Sequence, residues 1–139
     1  MSVTFHQLIK TNLPNRKQLK RFIPTIFYKE GKSIESLSII FCSDEFLLEM
    51  NKQHLHHDFY TDIITFDLSE SKKSPIIGEL YISIDRVKEN ASTNSVTISN
   101  ELIRVIFHGA LHLCGYKDKS SKHIIEMRRK ENEYIGLYQ

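Results

Sequence analysis

Apolar positions along this chain follow two periods, and the periods alternate. Val3 to Ile9 alternates weakly and predicts a strand. From Pro14 onward Leu19, Phe22, Ile23, Ile26 and Phe27 recur at three- and four-residue spacings, the period of a helix. Proline suits a first helical turn. Pro24 lacks a backbone donor and is expected to kink or divide this helix before Gly31 closes it. Ser36 to Cys42 predicts a second strand. Ser43 then offers an N-cap, with Asp44 and Glu45 in the first turn where the helix dipole favours anions. That helix carries Phe46, Leu47 and Met50 and ends near His54. Asp62 to Leu68 and Ile76 to Ile84 predict two more strands around a polar loop from Ser69 to Pro75. Asp85 to Ala91 is a short helix. A longer one begins near Ser95 to Thr97 with a stripe of Ile98, Leu102, Val105 and Ile106. Ser120 or Ser121 caps a last helix through about Leu137. Strands and helices in this order predict an α+β fold, a single domain over residues 1–139 with helices on a small mixed sheet.

Composition narrows the class. A chain of 139 residues can bury about two-thirds of its unfolded surface, enough for a core without staples. No run of eighteen apolar residues predicts a membrane span, and the first residues lack a basic segment followed by an apolar one. Two cysteines, Cys42 and Cys114, cannot build a disulfide framework and point to a reducing, cytoplasmic setting. A net charge of +2 does not by itself argue for nucleic acid. Arg16, Lys17, Lys20 and Arg21 read as a solvated helix face.

The chemistry concentrates in residues 107–118, FHGALHLCGYKD, where the longest apolar-periodic run ends. His108 and His112 are four residues apart, hence on one helix face. Gly115 stands where that helix would end, since glycine takes the left-handed C′ conformation freely. The chain can then return Asp118 towards the two rings. Two imidazoles, a carboxylate and an open fourth position make a catalytic zinc arrangement. The plainer reading is two ordinary histidines, and His123 competes with Asp118 to complete the set. A metalloprotease helix needs a glutamate directly after its first histidine; Gly109 stands there. Glu101 and Arg104, one or two turns earlier, are candidate partners for the rings. The dense run Gln53-His54-Leu55-His56-His57-Asp58 reads as a polar loop flanking the site.

HGALHLCGYKD resembles the metal-binding signature H-G-x-L-H-L-x-G-Y-D-H of the YbeY family of rRNA-maturation endoribonucleases. Met50-Asn51 with Thr61-Asp62-Ile63-Ile64-Thr65-Phe66 is similar to that family's L-N…T-D-V-L-S-F, and Gly78-Glu79-Leu80-Tyr81-Ile82-Ser83 to its G-D-I-x-I-S strand. The resemblance runs from about Ser36 to the C-terminal helix. It implies a zinc-dependent endoribonuclease, with His108, His112 and Asp118 as metal ligands and catalytic residues. It also implies a substrate of single-stranded ribosomal RNA and a place on the ribosome or small subunit, in rRNA maturation and quality control. Two departures stand out. Asp118 occupies the position of a third histidine, which lowers the site's charge by one unit and implies a weaker Lewis acid. Leu55 falls where the family carries a basic residue, leaving transition-state charge to Lys117, Lys119 or the metal. Phe59, Tyr60 and Tyr116 are candidate platforms for bases. Two other readings compete: a metal hydrolase acting on another phosphoester or amide, and a non-enzymatic ribosome-assembly factor with a structural metal.

Overall fold

A computed structural model describes residues 2–13, 15–56 and 60–139. Pro14 at the expected helix start, His57 and Asp58 of the histidine-dense run, and the candidate platform Phe59 lie outside the described residues. In chain order the elements are β1 (Ser2–Gln7), α1 (Arg16–Lys29), β2 (Ile34–Cys42), α2 (Asp44–Leu55), β3 (Ile63–Asp67), β4 (Ile76–Ser83), α3 (Ile84–Thr93), α4 (Ile98–Leu113) and α5 (Ser121–Tyr138). The expected α+β class with a mixed sheet is what forms. The strands lie in the order β1-β2-β4-β3, the first three parallel and β3 antiparallel to β4.

Local signals are honoured at most ends. Ser43, Thr97 and Ser120 each accept a hydrogen bond from the backbone N–H three residues on, capping α2, α4 and α5. Pro24 neither divides nor ends α1, which runs unbroken through it. An interior proline removes one helix hydrogen bond at a cost of about 3 kcal/mol. Leu19 and Ile23 before it, and Ile26 and Phe27 after it, are all fully buried. Each such side chain contributes roughly 1.5–3 kcal/mol of burial, so packing outweighs the lost bond.

The sheet has two unequal sides. One is covered by α1 and α4, whose apolar side chains join Leu37, Ile39, Phe41, Leu80 and Ile82 in the main core. The other carries a small cluster of Cys42, Leu47 and Ile64 beneath α2. Helix α4 lies between the sheet and α5, which explains why it is apolar nearly all round. Its approach to the sheet is set by Gly109. A Cβ there would stand 2.7 Å from Ile63 Cδ1 and 2.8 Å from Leu80 Cδ2, so a larger residue would have to push those side-chain ends aside. His108 precedes Gly109 at that contact, and Thr61 and Asp62 lead into β3 on its other side. Among the described residues no helix is long and apolar enough to cross a membrane.

Candidate metal centre

His108 and His112 sit on successive turns of α4 with ring centroids 4.6 Å apart and planes at 81°. The helix ends in a Schellman turn. Gly115, at φ 109°, gives its N–H to His112 O at 3.0 Å, and Tyr116 N–H reaches Leu111 O at 3.1 Å. The reversed chain carries Asp118 back, so that its Oδ2 lies 3.2 Å from Nε2 of both histidines. Ligand atoms of His108, His112 and Asp118 all fall within 4.8 Å of one another. His123 lines a small separate hollow with Gly115, Tyr116 and Lys117, so Asp118 completes the cluster.

The other ring nitrogens decide what this cluster can hold. His112 Nδ1 lies 2.9 Å from the carbonyl oxygen of Tyr116, which can only accept, so Nδ1 carries the proton. His108 Nδ1 lies 2.6 Å from Glu131 Oε2. Burial resists ionisation of Glu131, but hydrogen bonds from His108 and Arg104 more than offset it and hold the carboxyl below its ordinary value. Glu131 is therefore an acceptor too, and His108 Nδ1 its donor. With Nδ1 of each ring engaged as a donor, the neutral form of each ring turns an Nε2 lone pair towards a carboxylate oxygen. Three acceptors then meet with no donor among them. A proton can bridge one such pair, whereas a metal ion satisfies all three. Ligating histidines commonly give their second N–H to a carboxylate or a backbone carbonyl, and both kinds occur here.

Burial alone would lower the His108 pKa, but the Glu131 hydrogen bond and the charges of Glu131, Asp62 and Asp118 raise it overall. Asp62 is pushed up by burial, partly countered by His108, and Glu101 is raised mainly by burial. The site is nonetheless open. The side chains of His108, His112 and Asp118 keep 21%, 26% and 41% of their exposure. A cleft of about 510 Å³ beside them is walled by Asn51, Leu55, Thr61, Asp62 and Lys119. A second, of about 320 Å³, lies across His108 between Glu101, Arg104 and Arg128.

The sequence pattern pointed to the three residues that cluster here, and offered Glu101 and Arg104 as candidate partners for the rings. Among the described residues the rings take their hydrogen-bond partners from Glu131, Tyr116 O and Asp118, not from Glu101 or Arg104. Arg104 acts one step back, giving a hydrogen bond to Glu131 Oε1 at 2.9 Å. Glu131 escaped notice, although it sits among Met127 and Tyr134 on the buried stripe of α5. A carboxylate on a buried stripe is itself a signal of a paired, specific role. Lys119 reaches the cleft, whereas Lys117 faces the small hollow beyond the turn. Tyr116 donates its hydroxyl to Glu30 at 2.7 Å and has Lys130 Nζ 5.8 Å from its ring centroid. Tyr60 stays half exposed with Arg86 over its ring at 5.1 Å. His54 packs edge-on against Phe66, and no second cluster of ligand atoms forms among the described residues. Both cysteines are free and buried, with thiols pushed up to about 12, which makes them inert near neutral pH.

The family model described as endoribonuclease YbeY matches residues 5–139 of this chain. The chain belongs to the endoribonuclease YbeY family. An endoribonuclease YbeY of Cytophaga hutchinsonii is 50% identical over 133 residues, covering 96% of this chain and 92% of the relative. That of Flavobacterium psychrophilum is 41% identical, covering 98% and 96%. The solution structure of TM1509 from Thermotoga maritima superposes with a TM-score of 0.64 at 30% identity, over 96% of this chain and 88% of that one. Against the YbeY signature, the aspartate in the third ligand position stands at the cluster, and Leu55 stands in the cleft wall.

Proposed function

We propose that this chain is a zinc-dependent endoribonuclease that cuts single-stranded ribosomal RNA, working in the cytoplasm on small-subunit maturation and ribosome quality control. In this reading residues 1–139 act as one metallo-hydrolase domain. One observation carries the metal: Nε2 of His108, Nε2 of His112 and a carboxylate oxygen of Asp118 converge, while both Nδ1 atoms are already engaged by Glu131 and the Tyr116 carbonyl. The open cleft supports a catalytic rather than a structural ion, because structural zinc sites are closed by protein ligands.

When bound, such an ion supplies Lewis-acid charge for a phosphoryl oxygen and a means of ionising water near neutral pH. The chain's own groups do the rest. Glu131 and the Tyr116 carbonyl keep both Nε2 atoms aimed at one point. Lys119, at the cleft wall, offers a cation to the scissile phosphate where Leu55 cannot. Asp62 lines both clefts and is a carboxylate placed to take a proton there. Asp118 in place of a third imidazole lowers the charge of the centre by one unit.

The test is cleavage of an end-labelled single-stranded RNA by wild type, His112→Ala and Asp118→His, purified identically, with and without chelator. Loss in His112→Ala and in chelator, with changed metal affinity and faster turnover in Asp118→His, is the expected result. Equal cleavage by wild type and His112→Ala means a contaminating ribonuclease. Leu55, apolar in the cleft wall, favours one second reading, a ribosome-assembly factor without nuclease activity. Metal binding without cleavage would select it.

A further inference from the structure

The first twenty-nine residues hold six of the nineteen lysines and arginines and none of the seventeen acids. A net charge of +2 therefore hides a strongly positive β1–α1 unit joined to a remainder that is net negative. An ordinary solvated helix intersperses opposite charges at three- and four-residue spacings. Elsewhere the molecule does this: Arg86 pairs with Asp44 and Glu89, Arg129 with Glu126, Lys130 with Glu30 and Glu133. By contrast, none of Lys10, Arg16, Lys17, Lys20, Arg21 and Lys88 forms an ion pair among the described residues.

These cations lie on α1 and on the connection that leads into it from β1, with Lys88 of α3 across a cleft from Lys10. β1 is the sheet's edge strand, at the opposite side from β3 and the metal cleft. Arg16 and Lys20 flank the Phe5 ring at 5.9 and 5.8 Å. Lys17 and Arg21 stand one turn apart on the exposed face of α1, and Tyr28, 84% exposed, follows two turns further on. Where the β1–α1 connection meets α3 and α4, a cleft of about 850 Å³ opens between Lys10 and Lys88. Thr11, Asn12 and Ser99 add hydrogen-bonding groups to its walls, and among the described residues no carboxylate lines it.

We infer that this β1–α1 face is an RNA-anchoring surface separate from the metal cleft: Lys10, Lys17, Arg21 and Lys88 hold the sugar–phosphate backbone, and Tyr28 stacks an unpaired base. Unpaired like charges repel, and a polyanion relieves that repulsion by binding with release of its counterions. An exposed aromatic among cations is the usual platform of single-strand binders. That the polyanion is RNA rests on the proposed function; the anchoring surface itself rests on charge and geometry.

The test uses full-length His112→Ala protein, which cannot consume its ligand, titrated with a fluorescent single-stranded RNA over a range of salt. Lys17→Glu/Arg21→Glu is expected to weaken binding about tenfold or more. It should also flatten the slope of log affinity against log salt by about 1.4, since each phosphate contact on a single strand contributes about 0.7. Tyr28→Ser should weaken binding with the slope unchanged. The charge-matched Lys72→Glu/Lys73→Glu, in the β3–β4 loop, should change neither. Equal effects of the two double variants would overturn the anchor, as would tighter binding to anionic vesicles than to RNA. Restored to the wild-type background, Lys17→Glu/Arg21→Glu should cleave a short oligonucleotide normally and a long RNA slowly. Anchoring without any wild-type cleavage would sink only the nuclease reading, and cleavage without anchoring only this one.

Discussion

His108 and His112 are the same residue, one turn apart on the same helix, yet they are held in different ways. His112 gives its Nδ1 proton to Tyr116 O, four residues along its own chain, in a turn that Gly115 makes possible. His108 gives its proton to Glu131, twenty-three residues away on α5, and Glu131 is braced by Arg104 and reached by Arg128 at 3.5 Å. One ring is fixed by backbone geometry, the other by a charged network between helices. The local support is short and uncharged, and it forms with the helix end. The distant one forms only once α5 has docked on α4, and it places an ionised carboxylate against the ring, which makes that imidazole the stronger electron donor.

The largest expected effect tests the distant support. Glu131→Ala removes the acceptor of His108 and leaves Arg104 without its carboxylate, and is expected to lower metal affinity by about 10- to 100-fold. Glu131→Gln keeps the shape and one acceptor oxygen but not the charge, and should fall between that variant and wild type. Competition against a chromogenic chelator measures both, with thermal melts to separate misfolding from lost affinity. Wild-type affinity in a folded Glu131→Ala protein would show that α4 alone orients the ring.

The local support is tested at Gly115. Nothing lies within 4 Å of a Cβ built there, so the cost of Gly115→Ala is purely the backbone's. A non-glycine residue held at φ 109° costs of the order of 1–3 kcal/mol. Relaxing that strain would move Tyr116 O away from His112 and carry Asp118 with it. Stability should drop by that amount in denaturant titrations, and metal affinity should fall with it. Loss of affinity without loss of stability would mean that the turn shifts instead of straining.

The contrast also marks how far the sequence could be read. His108, His112, the Gly115 turn and Asp118 lie within eleven residues, so helix period and glycine conformation suffice to bring them together. The caps at Ser43 and Ser120 were legible for the same reason. The α+β class followed from the order of two periodicities. Contacts made across the fold were not legible. Glu131 meets His108 because α5 lies along α4, which no local pattern states. Pro24 was read by its own chemistry, while the buried side chains on both sides of it decide its fate. Leu55 was placed by alignment to a signature, and only the fold brings it to the cleft wall. The α1 cations, read singly as a solvated face, differ from ordinary ones by what does not pair with them.

The smallest effect concerns a third carboxylate, Glu30, which stands behind the local support. It closes α1 and accepts hydrogen bonds from Tyr116 Oη at 2.7 Å, from Lys130 Nζ at 3.2 Å and from the Tyr134 hydroxyl. Burial pushes its pKa up, and these bonds with the Lys130 charge more than offset that, leaving it below the ordinary 4.5. A carboxyl depressed by folding contributes stability that is fully present above its unfolded value and lost as pH falls through the folded one. Asp62 and Glu101, raised by burial, act in the opposite sense, since their contribution is lost as pH rises through their folded values. Glu30→Gln should therefore destabilise the protein modestly at neutral pH and flatten its loss of stability below about pH 4.5. Denaturant midpoints of variant and wild type, measured from neutral pH downward, should converge on the acid side. If they run parallel instead, Glu30 is protonated as easily in the fold as out of it, and the turn that carries Tyr116 owes nothing to its charge.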